Sequence, residues 1–206
     1  MTVTDIVDGR GKKKHIHLDG EYAFTLNEEF LFMSKVSVGC ELSEDEVEKI
    51  KSDYATYRAK NRALDLLSMR AHSAKELKTK LMRKVDKENA EIAVEKMREL
   101  GYIDDEGFAT TYANELWTRK YFSRSRIKHE LLLKGVDSEI AEIAISELSG
   151  EERERIRTLI EKKYLSRMAT EKGRGSLFSL LVRLGYSYSD VRSVMSEFEN
   201  IEFYED

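Results

Sequence analysis

The chain has 206 residues, of which 41% are hydrophobic and 36% charged, with a formal net charge of −4. It contains no proline and a single cysteine, Cys40, which excludes a disulfide framework and a cysteine-rich zinc site. The net acidity argues against a protein whose main task is to coat nucleic acid, and apolar stretches such as Leu131-Leu132-Leu133 are too short to span a bilayer. We therefore expect a mainly helical protein in the cytoplasm.

The first forty residues differ from the rest by an alternation of apolar and polar residues at 2–7, 15–18 and 21–26. Asp19-Gly20 lies between the last two runs, and this dipeptide is typical of a tight hairpin turn. We therefore predict a small N-terminal β-hairpin or sheet. Ser43 and Glu46 then have the spacing of a capping box, which predicts that a helix begins there.

Beyond this point the sequence repeats itself with a period of about fifty residues. The shift aligns apolar positions of three successive segments: Leu77 with Ile127 and Leu177, and Leu81 with Leu131 and Leu181. For one helix such agreement arises easily by chance, but Ala59 and Ala63 also align with Ala109 and Ala113 in the preceding helices. We therefore predict three tandem three-helix repeats.

Helix caps set the boundaries within each repeat. Gly101 is a predicted C-cap, and Asp104 and Asp137 are predicted N-caps. The predicted segments are a β-rich extension with a first helix (1–50) and three repeats (51–101, 102–149 and 150–206). The predicted helices are 54–70, 73–85 and 88–100, then 104–119, 123–134 and 137–148, then 150–170, 174–184 and 187–199.

No residue pattern indicates catalysis, so we expect neither an enzyme nor a cofactor. His15 and His17 share one face of a predicted strand, but without a third ligand an exposed polar face is a better interpretation than a zinc site. The acidic run at residues 104–106 is better explained by helix capping than by a divalent cation. His72 and His129 adjoin basic segments and are predicted to lie on the surface.

The informative residues are basic. Nine lysines and arginines against two acids lie between Arg58 and Lys84, and six against one lie between Arg119 and Lys134. Those on the middle helices lie off the apolar stripe and should face solvent. A solvated helix face explains each run alone, whereas their recurrence in equivalent helices favours a partner- or DNA-binding surface. The candidate residues are Lys75, Lys78, Arg83, Lys84, Arg124, Arg126, Lys128 and Lys134.

Aromatic side chains follow the same helices. Phe108, Tyr112 and Trp117 have the spacing of core residues, whereas Tyr121 and Phe122 beside the basic run could be exposed for stacking on bases.

Several segments together resemble the RecX regulatory proteins, which modulate the bacterial recombinase RecA. The resemblance covers essentially the whole chain, in the order and spacing of its segments. They are GEYAF at 20–24, RALDLL at 62–67, SAKELKTKL at 73–81, LGYIDDEGFA at 100–109, KGV at 134–136 and LGYS at 184–187. The third repeat departs from the pattern, because Phe178 stands where Lys78 and Lys128 stand in the first two.

The resemblance implies an elongated, curved array of repeats that lies in the groove of the RecA filament on DNA. It implies inhibition of recombination, ATP hydrolysis and the coprotease activity, with effects on DNA repair and the SOS response. We expect a monomer that binds single- or double-stranded DNA weakly and without sequence preference. Two alternatives remain: a helix-turn-helix-like DNA-binding module that acts without a recombinase, and a helical scaffold for another protein.

Overall fold

In the computed structural model, which describes residues 1–198, a three-stranded sheet is followed by ten α-helices. The predicted mainly α fold with a small N-terminal sheet is confirmed. The strands are β1 (Val3–Asp8), β2 (Lys13–Leu18) and β3 (Glu21–Asn27). The helices are α1 (Glu28–Ser34), α2 (Glu44–Met69), α3 (Ala74–Leu81), α4 (Lys87–Glu99), α5 (Asp105–Glu115), α6 (Arg124–Leu133), α7 (Ser138–Ser146), α8 (Glu152–Leu159), α9 (Glu171–Arg183) and α10 (Tyr188–Glu197).

The chain divides into two compact units. The first contains residues 1–71 and 77–102, and the second contains residues 72–76 together with the chain from Ile103 onward. Each unit buries its own apolar residues.

The first unit begins with the antiparallel sheet, in the order β1-β2-β3. The predicted turn at Asp19-Gly20 joins β2 to β3, and Ile16 pairs with Phe24 across these strands. The sequence did not predict α1, which follows β3 directly because the Asn27 side chain accepts a hydrogen bond from the backbone N–H of Phe30. The inner face of the sheet packs against Phe30 and against Val47 of α2.

Helix α2 begins at the predicted capping box, in which Ser43 and Glu46 exchange hydrogen bonds. It then continues without interruption to Met69. The predicted segment boundary at residue 50 therefore lies inside a helix, and no separate helix begins at residue 54. Ala59 and Ala63 are fully buried, since small side chains allow the packing of α2 on α4.

The second unit contains the helices of the second and third repeats. Asp104 and Asp137 cap α5 and α7 as predicted, because each carboxylate accepts a backbone N–H of the first turn. The six apolar residues aligned by the fifty-residue shift are all completely buried, which confirms the repeat register: Leu77, Leu81, Ile127, Leu131, Leu177 and Leu181. The first two belong to α3 and the others to α6 and α9.

The first helices of the last two repeats are less regular than predicted. Helix α5 ends in a π-helical turn at Leu116–Lys120. The helix predicted for 150–170 is divided into α8, a π-helical turn at Ile160–Tyr164 and a 3₁₀ segment at Leu165–Ala169. Helix α9 therefore begins at Glu171 rather than at residue 174, with Thr170 as its N-cap. Residue 199, the predicted end of the last helix, lies outside the described residues.

Candidate partner-binding surface

Three of the eight predicted binding residues are exposed side chains. These are Lys75 in the first turn of α3, and Arg83 and Lys84 in the turn that follows this helix. Their exposure agrees with the prediction that these basic side chains face solvent. The other five are only partly exposed, and each has an identifiable partner within its own unit.

Lys78 and Lys128 connect the middle helix of a repeat to its last helix. The Nζ atom of Lys78 lies 2.6 Å from a carboxylate oxygen of Glu91 in α4, and Lys128 pairs in the same way with Glu142 in α7. The lysines are fifty residues apart and the glutamates fifty-one, so the ion pair is itself a repeated feature. Part of the basic pattern in the sequence therefore consists of lysines that form ion pairs with glutamates of the same repeat.

The third repeat replaces this ion pair with an aromatic contact. Phe178 of α9 stands at the lysine position, and its ring lies 5.6 Å from that of Tyr188 in α10. The departure noted in the sequence therefore preserves a link between the same two helices. Its chemistry is apolar rather than ionic.

The Lys78–Glu91 pair gives a prediction about pH. The hydrogen bond from Lys78 lowers the pKa of the Glu91 carboxyl below its ordinary value of 4.5. A lowered pKa means that the pair stabilises the folded state at neutral pH and that this contribution is lost as the pH falls through the folded-state pKa. Glu91→Gln should therefore lower the melting temperature most at neutral pH and least in acid.

The matched control is the same substitution combined with Lys78→Met. If the pair is the cause, Glu91→Gln should have little further effect in that background, measured by thermal unfolding from pH 7 downward. A pH-independent loss in both backgrounds would contradict this interpretation.

Lys134 belongs to a contact formed inside the second unit by residues 72–76. Its Nζ atom lies 2.7 Å from the Glu76 carboxylate, and its backbone carbonyl accepts a hydrogen bond from the buried Ser73 hydroxyl. The backbone N–H of Ala74 donates to Asp105 at 2.9 Å. His72 is 3% exposed, so the prediction that it lies on the surface is wrong. Packing of residues 72–76 onto the second repeat accounts for its burial.

Arg124 holds the second and third repeats together. Its guanidinium donates to the carbonyl oxygens of Leu148 at 2.6 Å and Gly150 at 3.0 Å, and its backbone N–H donates to Glu152 at 2.7 Å. The guanidinium also lies 4.7 Å from the centre of the Trp117 ring. Both carbonyls accept from the same guanidinium nitrogen, Nη2, so these bonds occupy one of the two terminal nitrogens that a phosphate would contact.

A second guanidinium contacts the same tryptophan. Arg155 lies 3.5 Å from the centre of the Trp117 ring and donates to the Trp117 carbonyl oxygen. The Trp117 indole N–H donates to the Ser149 carbonyl oxygen at 3.1 Å, and the side chain is 3% exposed. Trp117 is thus a buried junction residue, as predicted for the core aromatics, and Arg155 is a contact that the sequence did not reveal.

Arg126 is the fifth partly exposed residue. Its guanidinium lies 2.7 Å from Glu130, one turn further along α6, and 5.5 Å from the centre of the Phe122 ring. Phe122 packs against the core of the second repeat, and Tyr121 packs against that of the third. The two aromatics that the sequence left open for base stacking are therefore half-buried packing residues.

Histidines do not form a metal centre in residues 1–198, where no group of three or more His, Cys, Asp and Glu residues is arranged to hold an ion. His15 Nδ1 lies 2.7 Å from the Thr25 hydroxyl, and the His15 and His17 rings both contact the ring of Tyr22 edge-on. The strand face is therefore polar as predicted, but the two histidines are half-buried rather than exposed. No helix among the same residues is long and apolar enough to cross a membrane.

The fold and this surface define a helical-repeat protein with an exposed basic segment in its first repeat. The family models for "RecX, first three-helix domain" and "RecX, second three-helix domain" match residues 59–97 and 104–145. A regulatory protein RecX from Caldanaerobacter subterraneus is 34% identical over 183 residues, which cover 87% of this chain and 92% of that protein. The chain belongs to the RecX family of regulatory proteins.

Further relatives match most of the chain. A regulatory protein RecX from Clostridium acetobutylicum is 27% identical, and 95% of each chain is covered. The crystal structure of a regulatory protein RecX has a TM-score of 0.66 at 23% identity and covers 95% of this chain and 98% of its own. That of RecX from Lactobacillus salivarius has a TM-score of 0.59 at 24% identity and covers 71% and 98%. These two structures share the fold.

Proposed function

We propose that this chain binds the RecA recombinase filament on DNA and inhibits its ATPase, recombinase and coprotease activities. The observation that carries the proposal is membership of the RecX family, through a relative 34% identical over most of both chains. In the cell this activity would limit DNA repair by recombination and the SOS response. The protein itself would act in the cytoplasm by binding, without catalysis and without a cofactor.

The contact surface is assigned to exposed basic side chains, since a filament on DNA offers phosphates and acidic protein grooves. Lys75, Arg83 and Lys84 are the three candidates that project into solvent. Long-range attraction of this kind speeds association and weakens as salt is added. Lys78, Lys128 and Lys134 are already paired with carboxylates, so we assign them a positioning role within their repeats.

The test is RecA-catalysed ATP hydrolysis on single-stranded DNA, with this protein titrated at substoichiometric ratios. The wild-type chain should inhibit well below one molecule per recombinase. The variant Lys75→Glu/Arg83→Glu/Lys84→Glu should need at least about tenfold more protein for half-inhibition, because reversing three exposed charges costs more than the ~1.4 kcal/mol that a factor of ten requires.

A control with the same change in net charge is Lys13→Glu/Lys49→Glu/Lys162→Glu, which reverses exposed charges elsewhere. It should inhibit like the wild type. Equal inhibition by both variants, with unchanged circular dichroism, would disprove the surface assignment. If the wild type had no effect on hydrolysis but bound one duplex sequence tightly without RecA, the helix-turn-helix alternative would replace the proposal.

A further inference from the structure

The first unit contains a concave groove between the N-terminal sheet and the helices of the first repeat. It is lined by Asn27 at the end of β3, by one face of α2 and by the turn between α3 and α4. Its volume is about 530 Å³, within the ~300–1,000 Å³ of clefts that take small ligands. A smaller depression beside Arg58, Arg83 and Lys84 adjoins it.

The charge of this groove is predominantly positive. Arg58 and Arg62 lie one helical turn apart on α2, and the α3–α4 turn adds Lys84 to the groove and Arg83 to the adjoining depression; all four are exposed. Among residues 1–198, Arg58, Arg83 and Lys84 form no ion pair. The groove therefore presents uncompensated cations, in contrast to the paired lysines of the middle helices.

The two acids beside these four cations, Asp65 and Asp86, reduce the positive charge without reversing it. The Asp86 carboxylate is occupied as the N-cap of α4, where it accepts the backbone N–H of Asn89 at 2.9 Å and the Asn89 side-chain amide at 2.8 Å. Asp65 lies 3.9 Å from Arg62, at the outer limit of an ion pair.

The wall of the groove is aromatic. Tyr54 and Tyr57 are nearly parallel, with ring centres 6.2 Å apart, and Phe30 supports both rings from behind at 5.1 and 5.2 Å. The Asn27 side-chain amide donates to the Tyr57 hydroxyl at 3.4 Å, and the Arg58 guanidinium lies 5.9 Å from the centre of the Tyr54 ring. These contacts hold the two tyrosines in place before any ligand arrives.

We infer that this groove and the adjoining depression form a binding site for single-stranded nucleic acid, with phosphodiester groups on Arg58, Arg83 and Lys84 and a base against the tyrosine wall. Single-strand sites combine cations that follow the backbone with aromatic rings that accept a base of any kind. An acidic peptide would use the cations but not the rings. The groove therefore favours nucleic acid over an acidic protein segment.

The groove would bind single-stranded nucleic acid without the recombinase. On a filament, it would give the regulator a DNA contact of its own. The experiment omits RecA and nucleotide, so its failure would leave the ATPase test untouched. The measurement is fluorescence anisotropy of a labelled oligothymidylate, longer than the ~4–16 nucleotides that one single-strand module covers. It is titrated with the full chain over a series of salt concentrations.

The test variant is Arg58→Gln/Lys84→Gln. Each lost phosphate contact on a single strand should reduce the slope of log affinity against log salt by about 0.7, so the slope should fall by about 1.4. At ~0.1 M salt this corresponds to about 25-fold weaker binding. The control Lys13→Gln/Lys49→Gln removes the same charge from exposed positions of the same unit outside the groove, and it should keep most of the affinity.

Two further probes test the ligand class. An abasic oligomer of the same length should bind at least about fivefold more weakly than oligothymidylate, the effect of losing one stacked base. Polyglutamate at equal negative charge should compete poorly. The inference is overturned if the test and control variants weaken binding equally, if the abasic oligomer binds as well as the thymidylate, or if polyglutamate displaces the oligonucleotide efficiently.

Discussion

Alanine in place of Gly185 is expected to destabilise the second unit by about 2–5 kcal/mol. Gly185 follows α9 with a φ of +97°, and an added methyl carbon would lie 2.5 Å from both the Cβ of Arg126 and the hydroxyl of Ser123. The left-handed backbone alone costs a side chain about 1–2 kcal/mol, and overpacking a tight contact costs a further ~1–3 kcal/mol. The Ser123 N–H to Leu184 carbonyl hydrogen bond, 3.0 Å long, lies in the same contact.

The matched control is Gly150→Ala. Gly150 belongs to the same unit and has a φ of +90°, but no atom lies within 4 Å of the added methyl carbon. This variant should show the backbone cost only. Urea unfolding can be followed by fluorescence of the chain's single tryptophan, Trp117, which is buried in the second unit. Equal losses for the two variants would mean that the contact at Gly185 relaxes without cost.

Replacement of Trp117 with alanine is expected to cost about 3–5 kcal/mol, the usual range for a large buried aromatic. The loss has three sources: the buried ring, its indole hydrogen bond to Ser149, and the two guanidinium contacts of Arg124 and Arg155. Removal of the ring should affect Arg155 more than Arg124. The Nε atom of Arg155 is already buried without a hydrogen-bond partner among the described residues, and the ring covers its guanidinium.

Trp117→Phe should lie between the alanine variant and the wild type, since it keeps an aromatic ring and loses the indole N–H. Leu133→Ala provides the control: it is in the same unit but 65% exposed, and should change stability by no more than about 0.5 kcal/mol. Urea unfolding followed by circular dichroism reports all three. A Trp117→Ala loss no larger than that of Leu133→Ala would show that the neighbouring repeats do not depend on this ring.

The apolar repeat was predictable because it obeys a local rule. Residues four apart on one face of a helix are buried together, so Leu77 and Leu81 and their counterparts could be aligned by counting. Caps such as Asp104 and Asp137 were predictable for the same reason, since each acts within one turn. Belonging to the family also followed from the order of these local segments.

The charged surface could not be predicted in this way, because a side chain's partner lies on another helix. The sequence shows Lys128 off the apolar stripe, but Glu142 neutralises it only after α6 and α7 pack together. Arg124 likewise looked available until its acceptors proved to be carbonyls at Leu148 and Gly150. The eight-residue binding surface remains a prediction, and Arg58 enters the groove through tertiary packing that no spacing rule reports.

The uninterrupted helix α2 also restricts which insertions and deletions the chain can tolerate. The sheet packs on its first turns and the first repeat on its later ones, so both depend on the rotational phase of a single helix. Deleting or inserting one residue between Val47 and Ala59 would turn one end about 100° relative to the other, whereas seven residues would complete almost two turns. Tolerated length changes in this segment should therefore be close to a whole number of turns, such as about seven or eleven residues.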